Sequence, residues 1–84
     1  MINIYTKEDC VWCEKAKALL KENNIPFKEN LIGKDVTRSW VIEAFPTRKT
    51  VPIITDGHMI IGGYDDLKER LALDYNFGKT LLLG

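Results

Sequence analysis

Between two β-prone segments, Ile2 to Tyr5 and Phe27 to Ile32, lies a stretch from Val11 to Asn23 with the apolar spacing of a helix. Strand, helix and strand in such close succession predict a parallel strand pair joined by a helical crossover. Cys13, Ala16, Leu19 and Leu20 share one helical face, and Lys15, Lys17, Lys21 and Glu22 populate the others. Asn23-Asn24 closes the helix, and Ile25-Pro26 returns the chain to extended geometry. Both cysteines of the chain sit at the start of this helix, as Cys10-Val11-Trp12-Cys13.

Beyond Phe27 to Ile32 comes a Gly33-Lys34-Asp35 loop. A second helix is expected from about Val36 to Phe45, with Trp40, Val41, Ala44 and Phe45 on one side, and Trp40 and Phe45 as core residues. Val51 to Thr55 and His58 to Ile61 are β-rich, and Asp56-Gly57 between them is a two-residue hairpin signal. Gly62-Gly63 ends the second of these strands. Asp65-Asp66 opens a last helix through about Asp74, with Leu67 and Leu71 inward, because carboxylates suit the positive end of a helix. Tyr75 to Gly84 shows no clear pattern. The expected order is β-α-β-α-β-β-α, an α/β fold with a mixed four-stranded sheet flanked by helices.

The chain of 84 residues suits one domain spanning 1–84. Lys plus Arg equals Asp plus Glu, twelve each, so no global field favours nucleic acid or an acidic membrane. The start MINIYTKEDC lacks a basic and apolar leader, and no apolar run approaches a membrane span. A cytoplasmic location is therefore expected, where stable structural disulfides are unusual.

Three chemistries compete for the cysteine pair. Structural zinc usually takes about four Cys or His ligands, and this chain offers two cysteines and His58, so no metal is expected. An iron–sulfur cluster shared between two chains stays open, since thiolates from elsewhere complete it. The redox reading fits best. Cys10 meets the unsatisfied N–H groups and positive end of a helix, which favour thiolate over thiol. Lys7 adds positive charge, opposed by Glu8, Asp9 and Glu14. Cys13, one turn on and on the inward stripe, lies within bridging reach. The asymmetry makes Cys10 the attacking sulfur and Cys13 the resolving one.

Three separated segments carry a resemblance: Cys10-Val11-Trp12-Cys13 with Tyr5 and Lys7, then Thr50-Val51-Pro52, then Gly62 to Leu67 as GGYDDL. Together they resemble glutaredoxin, of the thioredoxin superfamily, over Ile2 to about Leu71. The resemblance implies the thioredoxin-like fold and a cis peptide bond at Val51-Pro52. It implies glutathione as co-substrate, paired with the backbone of Val51 like an added strand. The glutathione carboxylate would lie near Lys7 and Arg48 or Lys49. Its amino group would meet Asp65 or Asp66, and Gly63 would allow close backbone approach. Trp12 offers an aromatic wall beside the sulfur. The family often has Pro and Tyr where this chain has Val11 and Trp12, and a small residue or cysteine at Tyr64, which would narrow the groove. The implied activity is glutathione-dependent reduction of protein disulfides and glutathionylated proteins by a monomer, with ribonucleotide reductase as a client. Reduction by thioredoxin reductase, or a non-enzymatic role as an iron–sulfur carrier, are the alternatives.

Overall fold

The chain alternates β1 (Ile2–Thr6), α1 (Val11–Glu22), β2 (Phe27–Leu31), α2 (Arg38–Ala44), β3 (Ile53–Asp56), β4 (Met59–Gly62) and α3 (Tyr64–Leu83). The computed structural model describes the backbone of residues 1–83 and the side chains of residues 1–73. The strands form one sheet in the order β2-β1-β3-β4. β1 pairs with β2 in parallel, Ile4 opposite Glu29, and with β3 antiparallel, Ile4 opposite Ile54. The order and the mixed sheet match the sequence expectation.

Helices cover both sheet faces, and the alternation of strand side chains divides the core accordingly. Ile4 and Ile54 face one way and join Ala16, Leu20 and Leu67 in a fully enclosed cluster under α1 and α3. Tyr5 and Ile53, one position along each strand, face the other way and meet Val41 and Phe45 of α2. Each fully enclosed Leu or Ile contributes roughly 1.5–3 kcal/mol of transfer free energy.

Several boundaries differ from expectation. α2 begins at Arg38, because Thr37 caps it by accepting the Trp40 N–H at 3.1 Å. Ala44 is exposed and Trp40 is half-exposed, stacked on Tyr5 and Phe45, so the buried stripe of α2 reduces to Val41 and Phe45. β3 starts at Ile53, since Pro52 has no N–H for a ladder. The hairpin turn is Gly57-His58, one residue later than predicted: Asp56 stays paired with Met59, and Gly57 takes the positive φ of 61°. α3 runs on past Asp74 through the segment that showed no pattern in sequence.

Candidate active site

β1 delivers the chain to the cysteine pair through a tight corner. Asp9 adopts φ 55°, a left-handed conformation that short polar side chains tolerate, and the helix starts at once. Cys10 is the N-cap of α1, with extended φ −115° and ψ 104°. Its Sγ accepts the backbone N–H of Cys13 at 3.1 Å. A serine or aspartate oxygen usually occupies this place; here a sulfur does.

Cys10 and Cys13 are joined as a disulfide, with Cα atoms 5.2 Å apart. The two sulfurs sit in different surroundings. Cys13 is 1% exposed, packed into the inward face of α1, whereas Cys10 is only half-buried and lines a cleft of about 1060 Å³.

That cleft gathers several residues expected from sequence: Lys7, Trp12, Arg48, Lys49, Thr50 and Val51 all line it beside Cys10. The Val51–Pro52 peptide bond is cis, as expected, and Pro52 itself is buried. Gly63, between β4 and α3, lies near the loop before β3. A Cβ there would stand 3.4 Å from Arg48 Nη2 and 3.7 Å from the Pro52 carbonyl oxygen. Arg48 is half-buried, and its Nε is enclosed with no hydrogen-bond partner. Gly63, Tyr64, Asp65 and Asp66 do not line the cleft.

The two aspartates at the α3 start separate in role. Asp66 turns back to accept the Gly63 N–H at 2.9 Å, a capping contact from the third helical position. A Cβ on Gly62, which holds φ 125°, would strike that carboxylate. Asp65 is exposed. Tyr64 packs on the core from its half-buried position, and its ring meets Trp12 at a centroid distance of 5.5 Å. Lys15 Nζ lies 4.6 Å from the centroid of the Trp12 ring.

Sequence reasoning missed part of the cleft. Arg38, Val41, Ile42 and Phe45 line it together, at helical spacings of three and four. That spacing was visible, but it reads equally as core, and Val41 and Phe45 serve both purposes. The result is four basic side chains, Lys7, Arg38, Arg48 and Lys49, against a single carboxylate, Asp9. Such an arrangement attracts an anion with an apolar portion.

Behind the cysteine helix, a polar network ties α1 to the sheet. The Thr6 hydroxyl donates to Glu29 Oε2 at 2.8 Å, and Lys17 Nζ reaches Glu29 and Glu14 at 3.0 Å each. Thr6 first and Lys17 next hold the Glu29 carboxyl below its usual range, against the effect of burial. Burial works against the Lys17 charge, yet its contacts with Glu29 and Glu14 prevail and raise its pKa. Among the described residues, no group of three or more His, Cys, Asp or Glu side chains is placed to hold a metal ion. Nor, among them, is any helix long and apolar enough to cross a membrane.

The family model described as Glutaredoxin matches residues 2–60. Glutaredoxin 3 of Escherichia coli (strain K12) is 39% identical over 82 residues, covering 98% of this chain and 95% of the relative. Hybrid peroxiredoxin hyPrx5 of Haemophilus influenzae is 42% identical over 71 residues, 84% of this chain but only 29% of that protein. The crystal structure of glutaredoxin 1 from Francisella tularensis, complexed with cacodylate, superposes with a TM-score of 0.75 at 32% identity. That match covers 89% of this chain and 95% of the other.

Proposed function

The chain belongs to the glutaredoxin family of thiol–disulfide oxidoreductases, and we propose that it draws its electrons from glutathione to reduce protein disulfides and glutathionylated proteins. The observation that carries the mechanism is the Cys13 N–H aimed at Cys10 Sγ at 3.1 Å, with Cys13 enclosed and Cys10 on the cleft. A backbone donor and the positive helix end stabilise a thiolate at Cys10 once the disulfide is reduced.

In the reduced protein, the Cys10 thiolate attacks one sulfur of the client disulfide. The client's other sulfur leaves as a thiolate and takes up a proton. Cys13 then loses its proton and attacks Cys10 Sγ, releasing the client as a dithiol and leaving the Cys10–Cys13 disulfide. One glutathione thiolate attacks Cys10 Sγ and expels Cys13. A second attacks the glutathione sulfur, giving glutathione disulfide and the Cys10 thiolate. Two thiols are oxidised for each disulfide reduced.

The cleft suits this co-substrate. Lys7 with Arg48 or Lys49 receives its terminal carboxylate. The backbone of Val51 pairs with the tripeptide as an added strand. Asp66 is engaged as a helix cap, so Asp65 takes the amino group. We place this activity in the cytoplasm, carried by a monomer; ribonucleotide reductase is a candidate client on family resemblance alone.

The test supplies the oxidised protein with either glutathione or thioredoxin reductase and follows reduction of a glutathionylated peptide. Turnover with glutathione is expected. Turnover with the reductase alone would overturn the choice of electron donor.

A further inference from the structure

The cleft beside Cys10 is walled by α2 on one side, and the start of α3 does not line it. Its lining includes the basic side chains and the loop before Pro52. Trp12 stands at the boundary. It lines the cleft, and its ring is held against Tyr64, at 5.5 Å between centroids, under the Lys15 ammonium. Tyr64 is itself seated on the core and so gives Trp12 a fixed partner. A tilted aromatic pair with a cation over it favours this placement of the Trp12 ring.

From this stack we infer that Tyr64 is a positioning residue that holds Trp12 as a partition between the cationic cleft and the start of α3, and so limits access for the amino-terminal end of a peptide thiol. The inference rests on the glutathione reading above. A thiol that lacks the glutamyl group fits the cleft as it stands. Glutathione, which carries an additional glutamyl group, displaces the Trp12 ring from Tyr64 to reach Asp65. Selectivity between the two thiols is therefore set by the aromatic pair as well as by the polar groups at either end.

The experiment compares reduction of the Cys10–Cys13 disulfide by glutathione and by cysteinylglycine, which lacks the glutamyl group. The ratio of the two rates, compared between variants, cancels the intrinsic reactivity of the thiols. Tyr64→Ala should raise the glutathione-to-cysteinylglycine ratio by a factor of about two to about ten, that associated with one aromatic pair. Tyr64→Phe, which retains the ring, should leave the ratio unchanged. In a Trp40→Phe background, Trp12 emission should move toward that of a solvated indole in Tyr64→Ala and not in Tyr64→Phe. A ratio that stays level or falls in Tyr64→Ala overturns the partition while leaving the glutathione reading intact. Reduction by cysteinylglycine but never by glutathione, in parent and variants alike, overturns both.

Discussion

Asp66 and Asp65 are adjacent acids with different tasks. Asp66 satisfies the Gly63 N–H that opens α3, at 2.9 Å, and Asp65 remains exposed. Losing such a cap costs about 1 kcal/mol, a drop of roughly 4–8 °C in a domain of this size. Asp66→Ala should show that loss by thermal unfolding. Asp65→Ala should melt close to the parent and instead raise KM for the glutathione mixed disulfide. Equal melting losses in the two variants would contradict the division. Sequence alone could not assign these tasks, because either carboxylate suits the positive end of a helix; only the backbone turn at Gly62, with φ 125°, brings Asp66 back onto Gly63.

Among the elements, α1 is tied to the sheet by a polar network. Thr6 of β1, Glu29 of β2 and Lys17 of α1 meet at 2.8 and 3.0 Å. The lowered carboxyl of Glu29 implies a stabilisation present above its unfolded pKa and lost as pH falls through the folded value. The raised pKa of Lys17 has the opposite sense: its contribution is full below the unfolded value and is lost as pH rises through the folded one. Urea unfolding should therefore show Glu29→Gln less stable than the parent near neutral pH, with the gap closing as pH falls below the ordinary carboxylate range. A gap constant over that range would place the effect of Glu29 elsewhere. The elements themselves were legible from sequence. Helical spacing marked α1, and alternating or apolar β-prone runs marked the strands. The errors came where one residue answers two signals. Asp56-Gly57 reads as a turn, yet Asp56 keeps its ladder pairing and sits 3.4 Å from Arg70 and 3.5 Å from the N-terminal amine. Arg38 and Ile42 drew no assignment from sequence, and the cleft they line forms only when α2 packs beside the loop before Pro52.

Over the whole molecule, formal charge sums to zero, but its distribution is uneven. Four cations and one carboxylate line the cleft that holds Cys10. Steering of an anionic thiol toward it weakens as salt shortens the screening length from about 30 Å at 0.01 M to about 8 Å at 0.15 M. The kcat/KM for glutathione should fall across that range, and a double change of Arg38 and Lys49 to Gln should flatten the dependence. Whole-molecule packing also decides which cysteine attacks. The inward stripe of α1 encloses Cys13, while the N-cap position leaves Cys10 on the cleft. Reduction of a glutathionylated peptide by Cys10→Ser and by Cys13→Ser is the most direct test of that assignment. Cys13→Ser should retain turnover with glutathione and Cys10→Ser should have none; turnover by Cys10→Ser would contradict the account.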